Sequence, residues 1–357
     1  MEKALEKHVA DKIRASFGRH AHLLSLTPLA GDASSRRYYR ALLSGPTVPA
    51  SMVVMELCGG PLPLSSEELA MFKEPPKELP FLNLHRFLSQ LGVRVPTLYG
   101  YWVEEGLLFL EDLGDRSLWV SVQALSQTEV SKWYEKAIDQ LLLLQIRGTR
   151  AKNNSCIAFK QRFNFRLYTW EFEHFIEYGI EKGERGKMER RERNYLTEAF
   201  ASISHHLERQ PPYLNHRDYH SWNLMIHHRE VAVIDFQDAL LAPMQYDLAS
   251  LLNDRETDRI IKPELEDHLL DYYLRGREEM GEKKVGRDEF FETYILSALQ
   301  RDFKVVGRFQ YLDLVKGKPH YKKYIPGTLK RLKRNLTRLP YLQRLISVLA
   351  CHFEEIR

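Results

Sequence analysis

Cysteine is scarce in this chain, and the shortage closes off two classes of protein. Cys58, Cys156 and Cys351 are odd in number and far apart, so they outline neither a disulfide framework nor a Cys-x-x-Cys metal site. A reducing compartment is the simpler setting. Long apolar runs are missing too: "QLLLLQI" falls far short of the roughly 20 residues that a membrane span needs. The amino-terminal "MEKALEKHVADKIRASFG" has no apolar core of signal-peptide type and reads as an amphipathic surface helix. Neither charge sign dominates. A net charge of +4 over 357 residues is too mild to name nucleic acid as a partner, yet it suits an anionic ligand such as a nucleotide. Internal repeats and low-complexity tracts are absent. These shortages predict a cytoplasmic protein with no nucleic-acid, membrane or obligate protein partner.

What is present is ample material for a core: 44% hydrophobic residues, with 18 Tyr and 17 Phe. The length suits two lobes. In the first, "LTPLAGDASSRRYYRALLS" reads as two strands joined at Gly31-Asp32, and "SMVVMEL" as a third. A helix is predicted over Glu78 to Leu91, stopped by Gly92, followed by two strands that turn at Glu105-Gly106. From Gln127 the pattern is helical, and the charged stretch "EKGERGKMERRERN" reads as a surface turn. Strand signal returns only near "VAVIDFQ". The predicted fold class is α+β: a front lobe over residues 1–112 with a small antiparallel sheet, and a larger, mostly helical lobe over 113–357.

The chemistry is concentrated in "NHRDYHSWNL" and "VIDFQDA". A phosphoryl-transfer site must orient the acceptor hydroxyl, hold Mg²⁺ against the nucleotide phosphates and neutralise developing charge. His216-Arg217-Asp218, then Asn223, then Asp235-Phe236 match the spacing of a kinase catalytic loop and metal motif. Asp218 suits the hydroxyl, while the oxygens of Asn223 and Asp235 suit a hard Mg²⁺ ion. "NLMIHH" and "EVAVIDF" would form a hairpin that brings these two metal candidates together. Single Asp or Asn residues in loops are usually turn-formers. Three elements in order, correctly spaced and framed by strands favour the site.

The region "LNHRDYHSWNLMIHHREVAVIDFQDALLAPMQYDLASLLND" resembles the aminoglycoside phosphotransferase and choline kinase group, the small-molecule branch of the protein-kinase-like fold. His220, where protein kinases often carry Lys, fits that group. "GDASSRRYYR", "IDFQDALLAPMQYDLASLL" and the segment from Gln300 to Leu332 most resemble the anomeric amino-sugar kinases of bacterial cell-wall recycling, which phosphorylate N-acetylmuramate and N-acetylglucosamine. The resemblance implies ATP and Mg²⁺ as cofactors and a small-molecule sugar acceptor. It also implies that backbone groups near Glu111 and Leu113 meet the adenine.

The front lobe departs from the kinase pattern. "LAGDASSRRYYR" has one glycine where a phosphate-covering loop often has three, and "SMVVMEL" has no lysine. Arg36, Arg37 or Arg40 could ground the phosphates instead, and strand alternation would send Arg36 and Tyr38 to one face and Arg37 and Tyr39 to the other. Asp238 and His220 are candidates for substrate contact, whereas Asp247, before the apolar "LASLL", reads better as a cap or loop brace. Nothing local singles out Arg301 or His320. The paired histidines at 205–206 and 227–228 lack a third ligand and read as surface. Leu329, Leu332 and Leu336 give the basic tract near the end one buried face. Two alternatives stay open: the same chemistry on an aminoglycoside, choline-like or other metabolite, and a nucleotide-binding pseudokinase scaffold, for which the missing lysine argues.

Overall fold

The computed structural model describes residues 2–29, 36–57, 77–183 and 186–357. Five antiparallel strands form the front sheet in the order β1-β2-β3-β5-β4: β1 (His22–Pro28), β2 (Arg36–Ser44), β3 (Ser51–Leu57), β4 (Leu98–Trp102) and β5 (Leu107–Glu111). β1 and β2 pair with Thr27 opposite Arg40, as the sequence suggests, while the turn proposed at Gly31-Asp32 lies outside the described residues.

Both faces of this sheet are covered because its strands alternate apolar residues to two sides. Tyr39, Ala41, Leu43, Met52, Val54, Leu107 and Phe109 pack with Val9 and Ile13 of helix α1 (Glu2–Phe17). Val9 and Ile13 stand one helical turn apart, which puts both on the sheet side. The opposite side, with Met55, Leu57, Leu108 and Leu110, belongs to the main core that includes Leu84, Phe87 and Leu88 of α2 (Pro80–Gln90). Proline at its first turn and Gly92, at φ +81°, bound that helix.

Behind the sheet lie α3 (Gln127–Leu142), α4 (Phe165–His174), α5 (Arg190–Arg209), α6 (Gln245–Leu252), α7 (Pro263–Glu279), α8 (Arg287–Leu314) and α9 (Ile325–Thr337). Between α5 and α6 run four short strands: β6 (Pro212–Asn215) pairs with β9 (Leu240–Pro243), and β7 (Leu224–His227) with β8 (Glu230–Val233). The β7–β8 hairpin sets Leu224 opposite Val233, the pairing the motif requires. The β6–β9 pair escaped the sequence, since four-residue strands carry too little periodicity.

Two expectations are revised. Leu329, Leu332 and Leu336 are buried as predicted, but the basic face of α9 is not wholly solvated: Arg331 is buried and pairs with Asp302 of α8 at 2.6 Å. His205 stacks on Phe165 and His206 meets the Thr293 hydroxyl at 3.0 Å, so this pair is used in packing.

Helix α8 crosses the segment after α4 at Gly307. A Cβ there would lie 2.8 Å from Phe175 Cα and 2.9 Å from its backbone nitrogen. Backbone cannot yield as a side-chain tip can, so Gly307→Ala should cost about 1–3 kcal/mol. Urea unfolding measures it, and an unchanged midpoint would refute the close crossing.

Candidate active site

The loop from β6 to β7 is held from below. Asp247 of α6 accepts the backbone N–H groups of His216 and Arg217 at 2.5 and 3.0 Å, and Asn215 Oδ1 accepts the N–H of Asp247 at 3.2 Å. Arg301 of α8 donates to the Arg217 carbonyl at 2.5 Å. These bonds sustain a left-handed backbone at Arg217, φ +82°, which a non-glycine residue adopts only when its surroundings enforce it. Asp247 is therefore the loop brace that its position suggested. Burial pushes its carboxyl up to about 7, with the two N–H groups and Arg301 opposing.

Asp218 emerges at the end of this brace, 38% exposed. Burial works to raise its carboxyl, but Lys304, Arg301 and Arg217 outweigh it and hold the group well below the usual carboxylate range. Arg301 Nη2 and Lys304 Nζ stand 3.6 and 3.9 Å from Asp218 Oδ1. Asn223 Nδ2 donates to the Asp218 carbonyl at 3.0 Å, which turns its oxygen away from that bond. The N–H of Ile234 donates to the Asn223 carbonyl at 3.0 Å, tying Asn223 beside the residue that precedes Asp235. Asp235 has φ +61°, a second strained position in the site, and its Oδ1 accepts from Gln237 at 2.8 Å. Gln237, where protein kinases carry Gly, thus orients the metal candidate.

Phe236 buries its ring against Phe81 of α2, centroids 4.9 Å apart, which fastens the Asp235 turn to the front lobe. On β2, Arg36 is buried and hydrogen-bonds Tyr38. Burial raises the Tyr38 phenol, and the nearby Asp235 carboxylate adds to that rise, so this face of β2 looks toward the metal candidates. Arg37 lies on the other face of β2, 3.8 Å from Glu56. Arg40 is committed to Asp112 and Asp115 at 2.7 and 2.9 Å. At the lobe junction the Glu111 N–H goes to the Thr97 carbonyl and its carboxylate to Arg94 at 2.5 Å. Leu113 is buried beside it.

A cavity of about 270 Å³ opens next to Asp218. His220 and Asp238, the two candidates for substrate contact, line it. So do residues the sequence did not mark, among them Trp170, Asp254, Lys304 and Arg308. His320 is not in its lining. Arg301, Lys304 and Arg308 share one face of α8 because three and four residues make about one turn. The basic richness after residue 300 was visible as a wall for the acceptor, but a basic stripe on a long helix is usually solvated, so nothing local singled out these three.

A two-lobe fold with this loop, two candidate oxygen donors at the open end of the β7–β8 hairpin and a cavity before the acidic residue fits a kinase-like phosphotransferase. The chain belongs to the phosphotransferase enzyme family, whose model matches residues 25–282. It is 28% identical over 332 residues to the N-acetylmuramate/N-acetylglucosamine kinase of Neisseria meningitidis serogroup B, covering 91% of this chain and 89% of that one. The kinase of the same name from Pseudomonas aeruginosa is also 28% identical over 332 residues, covering 91% and 88%. Among solved structures, choline kinase LicA from Streptococcus pneumoniae superposes with a TM-score of 0.57 at 16% identity over 94% of this chain and 98% of that one. The ADP-bound aminoglycoside phosphotransferase APH(2'')-Ib does so at 0.58 and 16% identity, over 93% and 98%. No helix among the described residues is long and apolar enough to cross a membrane.

Proposed function

We propose that this phosphotransferase moves the γ-phosphoryl group of ATP to the anomeric hydroxyl of an N-acetylated amino sugar, N-acetylmuramate or N-acetylglucosamine, in the cytoplasm. The observation that carries the choice of acceptor is the cavity beside Asp218. Its volume lies below the roughly 300–1,000 Å³ of drug-sized sites, which suits one sugar ring better than a multi-ring aminoglycoside. Its wall sets Arg217, Arg255, Arg301, Lys304 and Arg308 against Glu171, Asp218, Asp238 and Asp254, a mixed lining with a slight cationic excess that suits a sugar or sugar acid better than a polycation. Half-exposed Trp170 offers an apolar ring face to the sugar. The names of the relatives from Neisseria and Pseudomonas agree with this reading.

In this reading residues 1–112 present the nucleotide and 113–357 the acceptor. Asp218 orients the anomeric hydroxyl and takes its proton late, since a carboxylate held so acidic is a weak base. Arg36 steadies the phosphates from β2, supplying the cation that β3 lacks, and the segment at Glu111 and Leu113 receives the adenine through its backbone. The donor chemistry fits Mg²⁺: Asn223 offers an oxygen turned away from its own hydrogen bond, and Asp235 an oxygen besides the one Gln237 engages. Bound there, Mg²⁺ would neutralise charge developing on the phosphates.

Purified protein with ATP, Mg²⁺ and a panel of amino sugars, aminoglycosides and choline tests the acceptor, with sugar phosphate read by mass spectrometry. Anomeric phosphate on N-acetylmuramate or N-acetylglucosamine is the expected product. Transfer to neither rejects this acceptor.

A further inference from the structure

One wall of the acceptor cavity carries polar atoms that the transfer chemistry leaves unused. Asp254 follows α6 and is only 5% exposed, yet its Oδ2 has no hydrogen-bond partner. Its nearest cation contact is Arg255 Nε at 3.6 Å, beyond hydrogen-bond length. The Arg255 guanidinium itself sits over the rings of Trp222 and Tyr324, 5.5 and 5.7 Å from their centroids. His220 is 9% exposed, and its Nδ1 is likewise buried with no partner. Asp254, His220 and Asp218 line the same cavity. A buried acceptor of hydrogen bonds left unbonded is costly, and native proteins keep few of them.

The backbone around Asp254 is pinned, so the carboxylate is not simply awaiting relaxation. Thr257 donates to the Asp254 carbonyl through its N–H at 2.8 Å and its hydroxyl at 2.6 Å. Arg331, fixed by Asp302, donates to the Arg255 carbonyl. On the other side Asn253 donates to the Tyr294 hydroxyl at 2.5 Å and accepts from Asn335 at 3.2 Å. Groups from α8 and α9 thus hold in place a residue that makes no full use of its own side chain.

We infer that Asp254 is an acceptor-specificity residue: its unbonded Oδ2 takes an O–H or N–H donor of the acceptor at a position other than the reacting hydroxyl, with His220 Nδ1 completing that polar wall. The inference rests on the reading that the cavity beside Asp218 receives the acceptor. A site built to bond a donor rejects an analogue without it, because the buried carboxylate then stays unpaired.

The test uses N-acetylglucosamine, its 3-, 4- and 6-deoxy analogues, and 2-deoxyglucose, which has no donor in place of the acetamido group. Each is assayed with the parent protein, Asp254→Ala and Asp254→Asn. One analogue should lose about 30-fold in kcat/KM with the parent but less than about threefold with Asp254→Ala, while the KM for ATP is the same in all three proteins. Equal losses in parent and variants overturn the inference and leave the amino-sugar reading standing. Should neither variant fold by circular dichroism, the parent alone decides: a loss above about 30-fold for one analogue supports the inference, and no loss above about threefold refutes it. If the parent phosphorylates only a different member of the acceptor panel, the amino-sugar reading fails. The variants are then compared on that acceptor, where a KM raised about 30-fold with ATP unaffected supports the role of Asp254, and an unchanged KM overturns it. Transfer to no acceptor removes both.

Discussion

Asp218→Asn is expected to lower kcat by about a thousandfold while the KM for ATP stays near its parent value. The amide keeps the shape of the carboxylate, so the loop brace from Asp247 and Arg301 is undisturbed. What it loses is the capacity to receive the hydroxyl proton and the negative charge that faces Lys304 and Arg301. The pH dependence follows from the same neighbours. They depress the Asp218 carboxyl, so it is ionised throughout the neutral range and its protonation does not set the acid limb of kcat near neutrality. A stopped assay with labelled ATP across pH 5 to 9 measures both points. A variant as fast as the parent removes Asp218 from the mechanism.

Asp235→Ala is expected to lower kcat/KM by about a thousandfold or more, because a metal at this position supplies several kcal/mol of transition-state charge stabilisation. Asp235 is the anionic member of the candidate pair, so Asn223→Ala should cost less. The two separate in Mg²⁺ titrations. Loss of Asn223 should be partly recovered at high Mg²⁺, since it weakens binding without removing the anion, whereas loss of Asp235 should not be. Among the described residues no cluster of three His, Cys, Asp or Glu could hold an ion. Full activity of Asp235→Ala in millimolar Mg²⁺ would show that the ion is held elsewhere.

The loop and hairpin that carry the candidate site were legible in the residues because their spacing is local in the chain. His216, Asp218 and Asn223 lie within one loop, and Asp235 ends the next hairpin, so spacing alone carries the geometry. Strand alternation likewise separated Arg36 from Arg37, although it could not say which face met the cleft. That required knowing that α1 covers the Arg37 side through Val9 and Ile13. The β2 arginines also look alike in sequence, and only the approach of Asp112 and Asp115 commits Arg40 to the lobe junction.

Most of the cavity wall beside Asp218 was hidden for a different reason. Trp170, Asp254 and Lys304 come from three separate places in the chain, and none carries a local mark that distinguishes a cavity residue from a surface one. Asp254 reads as loop punctuation, and Lys304 as one more cation on a long helix. Chain spacing thus settled the type of chemistry, because a phosphoryl-transfer loop needs fixed residue types at fixed separations. The packing of α4, α6 and α8 around that loop chose what faces Asp218, because a cavity is made by surfaces that meet across space, and the order of residues does not record where those surfaces meet.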